Sequence, residues 1–121
     1  MAVRYERDDV NRRVVVTFKG KFDSEECLAI LEQHRLGNVG NYSVLYDFIA
    51  STGAPTVSDL RRFMSVEMSA SPGPRGPIAI VTLDSVLYSR VCTYAALGRP
   101  QLNIEVFRDR KEADSWLAQS I

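Results

Sequence analysis

The stretch from Tyr42 to Pro55 decides the fold, and it reads Tyr-Ser-Val-Leu-Tyr-Asp-Phe-Ile-Ala-Ser-Thr-Gly-Ala-Pro. Its first part, from Ser43 to Ile49, is a nearly continuous apolar run, which is typical of a strand covered on both faces of a parallel sheet. Its second part changes to small and hydroxyl residues before a helical pattern begins at Val57. We therefore predict a central strand that ends in a loop over residues 50–55.

The end of this strand is the first place to look for a binding site. In parallel α/β sheets, ligands and partners bind at the carboxyl ends of the strands. Four polar residues lie at or just after that point and are the candidate binding residues: Asp47, Ser51, Thr52 and Ser58.

The patterns on either side of this strand predict an α/β fold with one mostly parallel sheet and an N-terminal antiparallel hairpin. Strands separated by helices run parallel, whereas the first two strands are joined by a short turn. The predicted order is β-β-α-β-α-β-α-β-α. The strands are expected at 3–7, 13–19, 43–49, 78–83 and 104–107, and the proline- and glycine-rich run from Ser71 to Pro77 ends the helix that follows the central strand.

Helix starts and buried faces are also readable. Asp23, Thr56, Asp84 and Asp109 are predicted N-caps, and Gly37 is the predicted cap at the end of the first helix. The predicted buried stripes are Cys27, Ile30, Leu31 and His34 in the first helix, Val57, Leu60, Phe63, Met64 and Met68 in the second, and Leu87, Val91, Tyr94 and Ala95 in the third.

Composition indicates one soluble domain spanning residues 1–121. The chain is 45% hydrophobic and 25% charged, and 121 residues suffice to bury a core without disulfides or metal. Fifteen basic and fifteen acidic residues give a formal net charge of zero, so we predict no nucleic-acid partner. The N-terminus carries no signal-peptide core and no run reaches the length of a membrane span. Together with two free thiols, Cys27 and Cys92, this predicts a cytoplasmic protein.

Catalytic and cofactor motifs are not found in the sequence. It contains no glycine-rich phosphate loop and no nucleophile elbow, and its single histidine, His34, ends an apolar helix stripe. Asp47 and Asp84 both lie near strand ends, where a Mg²⁺ site can arise, but Asp84 is already explained as a helix cap. We therefore predict no cofactor, no metal and no enzymatic activity.

Four larger side chains on the second and third helices raise an alternative. Met64, Met68, Tyr88 and Tyr94 could line a pocket for a small apolar ligand, or they could simply pack in the core, which is the ordinary role of such stripes.

The order of elements and the tail of the chain carry a family resemblance. Leu45-Tyr46-Asp47, Ile78-Ala79-Ile80-Val81, the helix from Tyr88 to Leu97, and Glu105-Val106-Phe107-Arg108-Asp109 followed by Ala113 and Trp116-Leu117 resemble the small SpoIIAA-like (STAS/SEC14-like) bacterial proteins. The resemblance spans nearly the whole chain. It implies a β-α superhelix similar to that of anti-sigma factor antagonists and of the lipid-binding SEC14 core.

In antagonists of this type, a serine at the start of the helix after the central strand is phosphorylated to control binding to a partner kinase. The family motif is Asp-Ser-Ser/Thr-Gly running directly into the helix. This chain has Ser51-Thr52-Gly53 after an alanine, two further residues before the helix, and Ser58 in its first turn. The resemblance implies a regulatory protein-interaction domain, and the alternative that it implies is a carrier of a small apolar ligand or lipid.

The first strand, from Val3 to Arg7, leaves an unpaired edge at the start of the predicted sheet. Because such edges readily pair with another chain, we also predict a homodimer.

Overall fold

The computed structural model describes residues 1–69 and 74–120. Its strands are β1 (Ala2–Asp8), β2 (Arg13–Lys21), β3 (Ser43–Thr52), β4 (Ile78–Val81) and β5 (Ile104–Phe107). Its helices are α1 (Ser24–Gly37), α2 (Val57–Met68), α3 (Ser85–Gly98) and α4 (Arg110–Gln119). The predicted order β-β-α-β-α-β-α-β-α is confirmed.

The five strands form one sheet in the order β1-β2-β3-β4-β5. β1 and β2 pair antiparallel, and the remaining pairs are parallel, as the hairpin and the intervening helices require. In the register, Asp47 of β3 lies opposite Thr17 of β2 and opposite Val81 of β4. The fold class predicted from the sequence is therefore confirmed.

Helices cover the two faces of the sheet unequally. The larger core lies on the face that carries Val16, Tyr46 and Ile80, and buried side chains of α1, α2 and α3 fill it. α4 covers the other face over β3, β4 and β5, where Ala113 and Leu117 pack on the alternating residues of those strands. Because helices that follow parallel strands run back along the sheet, α2 and α3 begin at its carboxyl edge and end at its amino edge.

The predicted helix caps are confirmed at all four N-termini. Asp23, Thr56, Asp84 and Asp109 each accept a backbone N–H of the first turn, and Thr56 forms a reciprocal capping box with Asp59. These side chains accept hydrogen bonds from first-turn backbone N–H groups, which are the groups that bind anions at an uncapped helix N-terminus.

Several boundaries and faces differ from the prediction. Gly37 is the last residue of α1, and Asn38 takes the left-handed cap conformation with φ 58°, which asparagine tolerates better than most residues. β3 continues to Thr52, so Ser51 and Thr52 are strand residues, and β4 ends at Val81 instead of Leu83. In α2 the buried stripe is Leu60, Phe63, Met64 and Glu67, while Val57 and Met68 at the helix ends are exposed. Of the run from Ser71 to Pro77 that was predicted to end α2, residues 71–73 lie outside the described residues; α2 ends before the run, at Met68.

Candidate functional site

The structure distributes the four predicted binding residues over different environments at the carboxyl edge. Asp47 is buried on the α4 face, where its carboxylate accepts the Ile49 amide at 2.9 Å and Arg110 at 2.8 Å. Arg110 also pairs with Asp114, which in turn pairs with Arg13 at 2.6 Å. Asp47 is therefore one end of a chain of ion pairs that holds α4 on the sheet.

The two candidate serines are in opposite situations. Ser51 is buried, and its hydroxyl donates to the carbonyl of Gly20 at 3.0 Å. Ser58 is exposed in the first turn of α2. Thr52, the last residue of β3, is also exposed. The carboxylate of Asp59, beside Ser58, is turned away to the hydroxyl of Ser24 at 2.8 Å and to the amide of Thr56. Of the two serines, Ser58 is the one open to a partner or a modifying enzyme.

Four aliphatic side chains form what we call the carboxyl-edge patch: Ile49, Val57, Leu83 and Val86. They expose between 37% and 59% of their surface. Ile49 lies in β3, two residues beyond the Asp47–Val81 pair, and Leu83 lies two residues beyond the end of the neighbouring strand β4. Val57 and Val86 lie in the first turns of α2 and α3, which pack against each other.

Large hydrophobic side chains are also exposed toward the amino edge, but they are spread over different elements. Val10 lies in the hairpin turn, whereas Leu36, Met68 and Leu97 lie in the last turns of three helices. Exposure alone does not separate the two edges. The carboxyl-edge patch differs because its residues come from two neighbouring strand-to-helix segments, β3 to α2 and β4 to α3.

A buried polar cluster lies beneath the ends of α1 and α2, close to the amino edge. Glu67 is buried in the last turn of α2, and Arg75 donates both to its carboxylate at 2.9 Å and to its backbone carbonyl at 2.7 Å. Arg75 also donates to the carbonyl of Gly40 at 3.2 Å. One guanidinium thus joins the end of α2 to the loops before β3 and β4.

Gly76 fixes the approach of these two loops. Its amide donates to the carbonyl of Gly40 at 2.9 Å. A Cβ at position 76 would overlap the carbonyl oxygen of Tyr42, so only glycine allows the backbones to come this close.

His34 is the third member of the cluster. It is buried at the end of α1, and its Nδ1 shares a hydrogen bond of 3.0 Å with the hydroxyl of Tyr46. Burial first, and then the positive charge of Arg75, lower the pKa of His34 from 6.5 to about 4. The ring is therefore neutral at pH 7 and enclosed by protein.

Burial also raises the pKa of three other groups in the interior, Glu67, Tyr94 and Cys27. Burial raises the pKa of Glu67, against the lowering effect of Arg75. Burial also raises the pKa of Tyr94 well above its ordinary value, and the neighbouring Glu67 carboxylate raises it further. The geometry between the Tyr94 hydroxyl and Glu67 Oε1 falls short of a hydrogen bond. The Cys27 thiol has its pKa raised to about 12, mainly by burial, so it stays protonated.

The four predicted pocket residues do not line one cavity. An apolar cavity of about 60 Å³ lies between the sheet and α1 to α3, and of the four only Tyr94 is among its lining residues. Met64 is buried elsewhere in the core, and Met68 is exposed at the end of α2. Tyr88 lies at the carboxyl edge with the guanidinium of Arg108 stacked 4.2 Å from its ring centre. Ligand pockets commonly measure about 300 Å³ or more, so a lipid does not fit this cavity as it stands.

The described residues contain no candidate metal site and no candidate membrane-spanning helix. Within residues 1–69 and 74–120, no three histidine, cysteine, aspartate or glutamate side chains are grouped closely enough to hold a metal ion. Asp84 is engaged as the cap of α3, accepting the amides of Val86 and Leu87. In the same part of the chain, every helix is too short or too polar to cross a bilayer.

Sequence reasoning missed Glu67 and Arg75. A signal for Glu67 was present, because it continues the spacing of Leu60, Phe63 and Met64 at +7, as His34 does after Cys27 in α1. A carboxylate in an apolar stripe implies a buried cation, but the partner, eight residues further along and before β4, could not be named from spacing.

Comparison with known proteins supports the fold. No protein-family model and no curated sequence matches the chain. Among solved structures, an anti-sigma factor antagonist from Mycobacterium paratuberculosis is similar over 97% of this chain and 93% of that one, with a TM-score of 0.64 and 14% identity. An uncharacterised DUF3478-family protein with a SpoIIAA-like fold from Shewanella loihica PV-4 is similar over 96% of this chain and 92% of that one, with a TM-score of 0.59 and 16% identity. The chain therefore has a SpoIIAA-like, STAS-like fold.

Proposed function

We propose that this chain is a non-enzymatic regulatory domain that binds a protein partner through its carboxyl edge. The observation that carries the proposal is the carboxyl-edge patch, Ile49, Val57, Leu83 and Val86, which lies beside the exposed Ser58. Exposed aliphatic side chains gathered at one edge of a sheet are a common protein-binding surface. The structure is similar to that of an anti-sigma factor antagonist, whose name indicates that it acts on another protein, and this favours a protein-binding function.

The state of the reactive side chains supports a non-enzymatic role. His34 is neutral and enclosed, the Cys27 thiol is protonated, and Asp47 is paired with Arg110. A general base or nucleophile needs access to substrate, and none of these groups has it. The free thiols suit a reducing compartment, so we place the domain in the cytoplasm.

Ser58 is the proposed control point for the interaction. A phosphate there would sit in the first turn of α2, where the helix dipole favours negative charge, and it would add a bulky dianion beside Val57. Because the bound surface is apolar, the added charge would weaken partner binding.

Affinity capture from a lysate of the source organism tests the proposal. The immobilised wild type is compared with Ser58→Asp, with the patch variant Val57→Ser/Val86→Ser, and with the amino-edge control Val10→Ser/Leu97→Ser. We expect one protein to be recovered with wild type and control and to be depleted about tenfold by the patch variant, the equivalent of about 1.4 kcal/mol. Equal recovery of that protein by all four baits, or recovery of none, would contradict the proposal.

A further inference from the structure

The two outer strands of the sheet, β1 and β5, differ in length and in the contacts that cover them. β5, at one end, is four residues long, and Arg99 donates to the carbonyl of Ile104 at 2.6 Å and pairs with Glu105. β1, at the other end, is seven residues long and pairs on one side with β2. Short or covered edges are protected from pairing with other chains, whereas a long open edge invites it.

We propose that β1 pairs antiparallel with β1 of a second copy of this chain, centred on Tyr5, to give a twofold dimer with a continuous sheet. Residues directly opposite each other in a sheet point to the same face, so a twofold axis normal to the sheet must place one residue opposite its own copy. Three central residues are available that keep most of the strand paired: Arg4, Tyr5 and Glu6.

Charge decides among the three registers. Centring on Arg4 or on Glu6 would place two like charges directly opposite each other, which is destabilising. Centring on Tyr5 places Arg4 opposite the partner's Glu6 and Glu6 opposite the partner's Arg4, and it overlaps all seven residues of the strand. Arg4 and Glu6 are exposed and already pair with each other at 3.0 Å, so both side chains extend on the same face. The strand is therefore self-complementary in one register.

The opposite face of β1 supplies apolar surface to the same contact. Val3 and Tyr5 pack against the larger core, and Tyr5 also lines an open groove of about 610 Å³ between β1 and α1. Leu36 lines that groove and is 75% exposed. In the Tyr5-centred dimer, the grooves of both copies flank the paired strands. This inference is independent of the proposed function, because it uses a different edge of the molecule.

Sedimentation equilibrium at low salt tests the dimer by charge exchange. We expect the wild-type mass to approach that of two chains as concentration rises. Arg4→Glu and Glu6→Arg, each alone, place like charges opposite each other twice and should weaken the dimer by roughly tenfold or more. An equimolar mixture of the two single variants restores opposite charges at both positions and should associate, as should the double variant Arg4→Glu/Glu6→Arg.

Arg62→Glu serves as the matched control, because Arg62 lies on α2 and forms an exposed pair with Glu25 of α1. Circular dichroism of each variant verifies that the monomer is folded. A wild type that stays monomeric at every concentration would overturn the proposal. A dimer that persists equally in both single variants would overturn the Tyr5-centred register.

Discussion

The amino and carboxyl edges of the sheet use side chains in opposite ways. Close to the amino edge, Glu67, Arg75 and His34 are drawn inward to close the ends of α1 and α2. At the carboxyl edge, small polar side chains cap the helices, and Ser58 and the carboxyl-edge patch remain exposed. The buried titratable groups His34 and Glu67 thus lie close to the amino edge, whereas exposed aliphatic side chains and Ser58 are available to a partner at the carboxyl edge. Substitutions at the first edge should change stability, and substitutions at the second should change binding.

The largest effect is expected when the amino-edge cluster loses its cation. Arg75→Met leaves the Glu67 carboxylate buried without its ion pair and frees two backbone carbonyls. Removing one partner of a buried pair costs about 3–5 kcal/mol. Urea unfolding followed by circular dichroism measures the difference in free energy of unfolding.

Arg110→Met is the matched control at the carboxyl edge, because Arg110 also pairs with a buried carboxylate, Asp47. Its side chain is 39% exposed against 16% for Arg75, so water can replace more of the lost contact. We expect a smaller loss of about 1–2 kcal/mol. Equal losses for the two variants would show that the clusters do not differ as described.

The second effect is a pH dependence that belongs to His34. Its pKa falls from 6.5 in the unfolded chain to about 4 in the folded protein, so between these values the unfolded state binds the extra proton. Stability is therefore full above pH 6.5 and is lost as the pH falls toward 4. Between pH 6.5 and 5 the loss from this group is about 1.5 kcal/mol.

His34→Asn isolates this contribution. The asparagine can still hydrogen-bond Tyr46 but does not titrate, while Glu67, whose raised pKa gives a slope of opposite sign, is present in both proteins. Tyr5 and Tyr46 also face the imidazole and stay protonated in this range, because burial raises the pKa of both. We expect urea unfolding to show the wild type losing about 1.5 kcal/mol more than His34→Asn between pH 6.5 and 5. Parallel pH profiles for the two proteins would contradict a neutral, buried His34.

The smallest effect on stability is expected at the carboxyl-edge patch. Val57 and Val86 are 43% and 59% exposed, so Val57→Ser/Val86→Ser should change the free energy of unfolding by less than about 0.5 kcal/mol per site. Thermal melting measures this, and Val10→Ser/Leu97→Ser is the control. A marked destabilisation by the patch variant would show that these side chains contribute to the core and not to an open surface.

The sequence was informative where local rules act. The helix caps at Asp23, Thr56, Asp84 and Asp109 and the parallel order of strands follow from residue types and spacing, because caps and crossovers depend on neighbours in the chain. The stripe ending in His34 was predicted for the same reason.

What could not be predicted depends on contacts distant in sequence. Ser51 was assigned to a loop, but the β3 ladder continues because β2 extends alongside it to Lys21. Asp47 was predicted to be a binding residue at the end of a strand, but it pairs with Arg110, which lies sixty-three residues away. The ion pair of Glu67 and Arg75 likewise depends on how two loops meet at Gly40 and Gly76.

Hydrogen–deuterium exchange of the chain, with and without the protein that the wild type captures, tests the central claim most directly. We expect binding to slow exchange in the first turns of α2 and α3, around Val57 and Val86, and to leave the amides around His34 and Glu67 unchanged. Protection confined to the ends of α1 and α2 near the amino edge, with none at the carboxyl-edge patch, would contradict it.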